Sequence, residues 1–264
     1  MLRKNEVSHI IYDIHYRMNA AAIIPSRYFS TRFEGKPLID IAGKPMVQRV
    51  YESAQKAQLI DQVVVATDDR RILETVIGFG GKAELTSTNH LSGTDRIAEV
   101  VDRLSCDIVV NLQGDEPLME SRLIDEVVRL VMDNAEVYMA SAKSPIRQVE
   151  ELTDPNVVKV VSDCDGYALY FSRSPIPYCP TGSEDLLAPI GFKHIGLYVY
   201  KKDFLMKFVA LGPSPLEKQE RLEQLRALEN GYRIKLVYTE YDSIGVDTPE
   251  DVKRVIKKVE ERKN

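Results

Sequence analysis

A basic loop near the start of the chain carries the residues best suited to bind an anion. It follows the apolar run 20–24, which is typical of a strand buried on both faces of a parallel sheet. Arginine can grip phosphate oxygens through two nitrogens, and lysine adds a point charge. The pattern predicts a triphosphate-binding loop, although a solvated loop whose charges bind nothing is the alternative. The polar side chains of this loop are Arg27, Ser30, Thr31, Arg32 and Lys36.

Two acidic positions follow predicted strands further along the chain. Asp115 comes shortly after the apolar run 108–112, and Asp247 comes just before a charged C-terminal helix. In proteins Mg²⁺ is bound by one or two carboxylates together with substrate phosphates. A Mg²⁺ site formed by Asp115 and Asp247 is therefore the sharper hypothesis, and a helix cap at either position is the alternative.

Two further groups of polar residues also allow two interpretations. The segment 92–96, Ser-Gly-Thr-Asp-Arg, precedes an amphipathic run. Its glycine would let a ligand approach the backbone, but serine and aspartate also favour helix caps. Glu220 and Gln224 lie four residues apart on one long helix that we predict from Ser214 onward, so they share a face. A solvated helix face is the alternative for this pair.

Length and composition limit the class of protein. The 264 residues, of which 44% are hydrophobic, suit one large α/β domain with a smaller excursion. The net charge of -5 argues against a nucleic-acid binder, and no apolar run approaches the roughly 18 residues that would insert in a membrane. Cys106, Cys164 and Cys179 lack metal-type spacing, so we expect reduced thiols in a cytoplasm.

Short apolar strands that alternate with amphipathic helices predict the fold. This alternation is typical of an α/β, Rossmann-like, mostly parallel sheet with helices on both faces. From residue 149 the chain becomes proline-rich and β-rich, which predicts a smaller antiparallel excursion. We therefore expect an N-terminal extension at 1–17 that is disordered, a nucleotide-binding core at 18–152 and 221–264, and the excursion at 153–220.

Several short blocks, in order from about residue 20 to the end, give the chain a family resemblance. It resembles the nucleotide-sugar cytidylyltransferases, and among them those that act on 3-deoxy-manno-octulosonate (Kdo). Residues 1–17 fall outside the resemblance, and Ser26 stands where many relatives carry alanine. The blocks are 24–27, 30–32, 35–38, 43–46, 66–68, 92–96, 113–117, 166–173, 194–198, 222–226 and 245–251.

The resemblance implies a reaction, a cofactor and site residues. The reaction is transfer of CMP from CTP to Kdo with Mg²⁺ as cofactor, in a cytoplasmic homodimer that supplies lipopolysaccharide synthesis. The excursion would form the dimer contacts and the sugar side. The implied residues are Arg27, Ser30, Arg32 and Lys36 for the triphosphate; Ser92, Gly93 and Asp95 for the nucleoside; Gln113, Arg173, His194, Glu220 and Gln224 for the sugar acid; Asp115 and Asp247 for the metal; and Arg27, Lys36, Asp115 and Asp247 for catalysis.

The chemistry of that reaction suits these residue types. A sugar hydroxyl attacks the α-phosphorus in line, so charge neutralisation and positioning matter more than a covalent nucleophile. An arginine such as Arg173 suits the sugar carboxylate. The first alternative is a cytidylyltransferase for another acidic sugar, such as a sialic acid. The others are a non-catalytic nucleotide binder and a Mg²⁺-dependent glycosyltransferase, although the latter usually shows an Asp-x-Asp pair, and Gly114 and Pro117 flank the acidic pair here.

Overall fold

The structure is a computed structural model that describes residues 17–29, 33–178, 191–242 and 244–262. Residues 1–16, Ser30, Thr31, Arg32 and Cys179 lie outside this description, so the predictions made for them stay predictions. The strands are β1 (Ala20–Ser26), β2 (Gln62–Thr67), β3 (Ala83–Leu85), β4 (Ile108–Leu112), β5 (Met139–Ile146), β6 (Lys159–Ser162), β7 (Ala168–Ser172), β8 (Gly191–Lys201) and β9 (Lys235–Tyr238). The α-helices are α1 (Met46–Gln55), α2 (Arg70–Gly78), α3 (Gly93–Arg103), α4 (Ser121–Asp133), α5 (Val149–Thr153), α6 (Lys202–Ala210), α7 (Pro215–Glu220), α8 (Leu225–Glu229) and α9 (Pro249–Glu261).

One mostly parallel sheet carries the fold, as the sequence predicts. Its strand order is β3-β2-β1-β4-β8-β5-β9. β1 pairs in parallel with β2 on one side and with β4 on the other. The strand order thus reverses between β1 and β4, and ligands of open α/β sheets bind beyond the carboxyl ends of the strands at such a point. The loops that follow β1 and β4 are therefore placed where chemistry is expected.

Helices cover both faces of this sheet. On one face α1 and α4 pack through Val50 and Val127, and on the other α3 and α6 pack through Ile97 and Phe204. Fully burying such a side chain stabilises the fold by about 1.5–3 kcal/mol. A strand that is covered on both faces has a continuous run of apolar residues. For this reason β1, β2 and β4 could be predicted from the sequence. Within the described residues, no helix is both long and apolar enough to cross a bilayer.

The position of β8 differs from the expectation. We expected this strand inside the excursion, but it lies in the main sheet between β4 and β5 and is antiparallel to both. The β6–β7 hairpin lies off this strand order. It joins the same sheet where Lys159 of β6 pairs with Lys193 of β8 and where Tyr167 bridges to Lys235 of β9. The polar-apolar alternation of β8 is compatible with either place, because strand partners are set by distant residues.

The long helix predicted from Ser214 is wrong, because the structure has two short helices in its place. A capping box between Ser214 and Glu217 starts α7, as expected, but Arg221 adopts a left-handed conformation with φ 55° and ends it. The chain restarts as α8 after a turn at 221–224. Glu220 and Gln224 therefore do not share a helix face.

Candidate active site

Three side chains from distant parts of the chain meet beyond the sheet edge. Lys36 Nζ donates to Asp115 Oδ2 at 2.7 Å, to the carbonyl oxygen of Val246 at 2.8 Å and to Asp247 Oδ1 at 3.2 Å. The backbone N–H of Val246 donates to the carbonyl oxygen of Asp115 at 3.0 Å, which ties the two acidic segments together. We call this arrangement the Lys36 bridge. It confirms that Asp115 and Asp247 reach one edge of the sheet.

Neither aspartate caps a helix, so that alternative is wrong. The residue at the N-cap of α4 is Glu120, and no side chain caps that helix. Thr248 caps α9 in a capping box with Asp251. Asp115 and Asp247 instead direct carboxylate oxygens at the Lys36 ammonium.

The electrostatics of the bridge keep Lys36 charged. Burial opposes a charge on its ammonium, but the two carboxylates outweigh burial, and the pKa of Lys36 is raised above its ordinary value. Gly35 turns the chain just before this residue with φ 69°, and a Cβ there would lie 3.3 Å from the Tyr28 ring. Glycine is therefore required where the loop aims Lys36 at the carboxylates.

The donor set of the bridge suits a divalent cation. Two carboxylates already converge on one cationic group, and their side chains are 34% and 49% exposed, so a ligand can reach them. Among the described residues, no three His, Cys, Asp or Glu side chains are grouped to hold a metal. An ion bound by Asp115 and Asp247 would take its remaining ligands from substrate and water, as Mg²⁺ usually does.

A cleft of about 830 Å³ opens beside the Lys36 bridge and contains a second bridge. Lys193 Nζ donates to Glu151 and, at 2.7 Å, to Asp242 Oδ1. Burial opposes its charge too, but both carboxylates together raise the pKa of Lys193. We call this arrangement the Lys193 bridge. Sequence reasoning missed it, because its acidic partners lie in segments without a motif, and only the neighbouring His194 marks the place.

Two predicted sugar ligands lie at β8, and one of them lines the cleft. His194 lines it and pairs its Nε2 with Ser141 Oγ at 2.8 Å. Burial lowers the pKa of His194 to about 3, so its imidazole is neutral at pH 7. Gln113 donates to Asn111 Oδ1 at 3.2 Å and packs against Gly196, where a Cβ would lie 3.3 Å from the Gln113 side chain.

Arg173 and Glu220 contact each other beside this cleft. The Arg173 backbone N–H donates to Glu220 Oε2 at 2.9 Å, and its Nε donates to the Glu220 carbonyl oxygen at 2.8 Å. Arg173 Nη1 also donates to the carbonyl oxygen of Pro155 at 2.8 Å. Neither residue is among those lining the cleft, and Gln224 is buried. Their roles as sugar ligands stay predictions.

The predicted nucleotide residues gather at the start of α3. Ser92 Oγ accepts from the Asp95 backbone N–H at 3.1 Å, and Asp95 Oδ2 accepts from the Ser92 backbone N–H at 3.1 Å, so the pair forms a capping box. Gly93 opens the helix against the end of β1. Arg27 Nη2 donates to the carbonyl oxygen of His90 at 2.8 Å, which directs it toward the same loop. The helix cap is confirmed, and contact with a nucleotide stays a prediction.

Comparison with known sequences finds similarity along almost the whole chain. A family model described as cytidylyltransferase matches residues 21–235. A 3-deoxy-manno-octulosonate cytidylyltransferase of Geobacter sulfurreducens is 54% identical over 249 residues, which are 92% of this chain and 100% of that protein. A protein of the same name from Geotalea uraniireducens is also 54% identical, over 92% of this chain and 99% of its own length.

Solved structures show the same architecture. A CMP:2-keto-3-deoxy-manno-octonic acid synthetase complexed with CTP matches with a TM-score of 0.86 at 41% identity, over 92% of this chain and 99% of that chain. A cytidylyltransferase from Leptospira borgpetersenii matches with a TM-score of 0.59 at 16% identity, over 93% of this chain and 95% of that chain, and shows the fold alone. The predicted α/β fold class is thereby confirmed.

Proposed function

The chain belongs to the cytidylyltransferase family and, within it, to the 3-deoxy-manno-octulosonate cytidylyltransferases, and we propose that it transfers CMP from CTP to the anomeric hydroxyl of Kdo. The activities for which these relatives are named support the nucleotide and the sugar. The observation that carries the proposal is the Lys36 bridge, which gathers a cation and two carboxylates beyond the β1–β4 edge, where a triphosphate can bind.

The proposed reaction forms one bond and breaks another at the α-phosphorus. The anomeric oxygen of Kdo bonds to that phosphorus, and its hydroxyl proton passes to solvent. The bond to the bridging oxygen of the β-phosphate breaks, so its electron pair leaves with pyrophosphate. Such a transfer needs an aligned acceptor and neutralised phosphate oxygens more than it needs a covalent nucleophile. Arg27 and Lys36 supply positive charge in the loop after β1, and the cleft lined by Asp115 and Asp247 can hold the acceptor sugar.

We propose Mg²⁺ as the cation for Asp115 and Asp247. When bound there, it would neutralise phosphate charge and polarise the reacting oxygens. The Lys36 ammonium sits between the same carboxylates, so an ion in that place would leave Lys36 to donate to the triphosphate instead. This exchange reconciles the predicted triphosphate role of Lys36 with the contacts it makes.

The sugar acid would bind along β8, between the cleft and residues 220–224. Carboxylates such as Glu151 and Asp242 can accept hydrogen bonds from sugar hydroxyls, and neutral His194 can do the same without repelling a cation. Arg173 carries the positive charge we propose for the sugar carboxylate, with Gln113, Glu220 and Gln224 as further ligands.

We further propose that the protein works as a cytoplasmic homodimer that supplies lipopolysaccharide synthesis. The dimer is supported by β7, an edge strand that exposes Leu169, and by the exposed Tyr178. A second copy covering this edge would bury the exposed Leu169 and Tyr178 side chains. Light scattering on the purified chain measures the oligomeric state, and a monomer would contradict this part.

Pyrophosphate release with each nucleoside triphosphate tests the function directly. We expect release only with CTP, Kdo and Mg²⁺ together, and loss of release when the metal is removed with EDTA. Turnover with a sialic acid at an equal kcat/KM would favour the alternative acceptor. CTP binding without any pyrophosphate release would instead favour a non-catalytic binder.

A further inference from the structure

One side-chain contact joins the predicted nucleotide side of the site to its predicted sugar side. Thr94, in the first turn of α3, donates its hydroxyl to Glu223 Oε2. Thr94 follows Ser92 and Gly93 in the chain, whereas Glu223 lies in the turn 221–224 between α7 and α8. The contact therefore links two predicted substrate-binding segments that are far apart in the sequence.

The contact is partly buried and lies beside a cationic side chain. Thr94 is buried, and burial raises the pKa of Glu223, although the hydroxyls of Thr94 and Ser92 and the charge of Arg226 oppose that rise. Arg226 Nη2 lies 3.4 Å from Glu223 Oε1. Breaking this hydrogen bond would leave a partly buried polar group without its partner, so the contact ties the two segments together.

The turn that carries Glu223 is itself firmly held. Arg226 makes two hydrogen bonds to Glu217, at 2.9 Å and 2.6 Å, and Glu217 belongs to the capping box that starts α7. The segments α7, 221–224 and α8 are thus one unit, in which Glu220 and Gln224 flank Glu223. A shift at Thr94 is therefore passed to Glu220 and Gln224 rather than lost in a loose loop.

Glu223 also faces the polar residues that lead to Gln113. Burial raises the pKa of Tyr198 and Tyr200 on β8 well above their ordinary values, and the negative charge of Glu223 adds to both effects. Tyr200 is hydrogen-bonded to Asn111, which accepts from Gln113. Glu223 thus stands where the start of α3, the 221–224 turn and β8 converge.

We propose that Glu223 is a positioning residue that couples CTP binding at the start of α3 to Kdo binding at residues 220–224. This inference rests on the proposed function. A nucleotide that orders the first turn of α3 fixes Thr94, and Thr94 then holds Glu223 and its neighbours in the geometry that receives the sugar. Because such coupling is reciprocal, bound Kdo also improves CTP binding.

The test compares the KM for CTP at low and at saturating Kdo. In the wild-type protein we expect saturating Kdo to lower this KM by about fivefold or more, the usual lower range for coupled sites. In Thr94→Val and in Glu223→Ala the ratio should fall toward one. Their double variant should be no worse than either single one, because both remove the same bond. Glu223→Gln keeps an acceptor for Thr94 and should retain part of the coupling.

A matched control separates coupling from simple destabilisation. Asp163→Asn weakens the ion pair to Arg233 and the hydrogen bond from the Tyr167 backbone N–H, both of which lie outside α3 and the α7–α8 unit. We expect it to lower the Tm while leaving the CTP–Kdo ratio as in the wild type. An equal loss of the ratio in Asp163→Asn would overturn the role of Glu223.

Hydrogen exchange on the free protein distinguishes failure of this inference from failure of the proposed function. Thr94→Val and Glu223→Ala should speed amide exchange at both 92–95 and 221–225. Faster exchange with an unchanged CTP–Kdo ratio would overturn the coupling and leave a purely structural bond. Unchanged exchange at 221–225 would overturn the physical link itself. An absence of any turnover in the wild type would overturn the proposed function instead.

Discussion

The Lys36 bridge and the Lys193 bridge lie at the same cleft and contain the same kinds of charged group, but different structural elements hold their lysines. Each sets one lysine ammonium between two carboxylates, and burial opposes the charge in both. Lys36 opens a three-residue 3-10 helix in the loop after β1, whereas Lys193 belongs to β8, whose backbone pairs with β5 and β6. A sheet strand holds its side chains more rigidly than a loop does.

This difference suggests different roles for the two bridges. The Lys36 bridge is suited to exchanging its partners for ligands, and the Lys193 bridge is suited to fixing the shape of the cleft. The carboxylates of the Lys36 bridge follow β4 and β9 at the predicted phosphate edge. In the proposed reaction a cation would bind these two carboxylates, and the triphosphate would bind the Lys36 ammonium. The Lys193 carboxylates come from α5 and from the loop after β9, and they line the side of the cleft that we propose for the acceptor. Substitutions in the two bridges should therefore affect different kinetic constants.

The largest effect is expected at the carboxylates of the Lys36 bridge. Asp115→Asn and Asp247→Asn should each lower kcat by about 10²-fold, as removal of one preorganised transition-state contact does. Pyrophosphate release measures this loss. Glu151→Gln, the corresponding change in the Lys193 bridge, is the control and should keep kcat within a few-fold of the wild type. An equal loss in both bridges would erase the distinction.

Removal of the Lys36 ammonium should mainly weaken nucleotide binding. Lys36→Met keeps most of the side-chain volume but loses a charged donor, a contact worth about 1.5–3 kcal/mol, which is about tenfold or more in the KM for CTP. Initial rates over a range of CTP concentrations measure it. An unchanged KM and kcat would return the basic loop to the solvated alternative.

The buried His194, which follows Lys193 on β8, gives a test of how firmly this strand is packed. Its folded pKa of about 3 lies below the unfolded value of 6.5, so only the unfolded chain takes up this proton between those values. Stability from His194 is present above pH 6.5 and should fall by about 1.4 kcal/mol per pH unit as the pH drops toward 3. Urea unfolding from pH 7 to pH 4 should show a shallower decline in His194→Gln. Equal slopes in the two proteins would contradict the burial argument.

The smallest effect is expected at Lys193. Lys193→Met leaves Glu151 and Asp242 facing each other without a cation, which disturbs the acceptor side of the cleft. Because both carboxylates are partly exposed, water screens their repulsion, and we expect only about a threefold rise in the KM for Kdo. The KM for CTP serves as the internal control and should stay unchanged. A larger effect on CTP than on Kdo would reverse the assignment of the two sides.

The parts of the fold that were predictable are those set by local pattern. The apolar run of β4 and the cap at Ser92 follow from side-chain burial and backbone hydrogen bonding within a few residues. The edge shared by Asp115 and Asp247 followed from a rule about parallel strands. The contact of Lys36 with both aspartates could not be predicted, because Lys36 lies 79 residues from Asp115 and 211 residues from Asp247 in the sequence.

Long-range packing also overrode local signals that pointed elsewhere. Leucines at 222, 225 and 228 fit one helical face, but the chain breaks at Arg221, and Glu223 bonds to Thr94 on a different helix. The place of β8 likewise depends on pairing with β4 and β5, which no pattern inside residues 191–201 encodes. The contacts that join separate parts of the site are therefore the hardest to predict from the sequence.

The reversed direction of β8 also bears on how new acceptor preferences could evolve in this architecture. β5 ends and β8 begins side by side, with Ile146 paired to Gly191, at the edge that borders the cleft. The intervening stretch thus leaves and rejoins the sheet at the same place. Insertions or replacements within it can remodel the proposed acceptor pocket while the strand order and the proposed nucleotide side stay intact. Substrate repertoire and scaffold can in this way diversify independently.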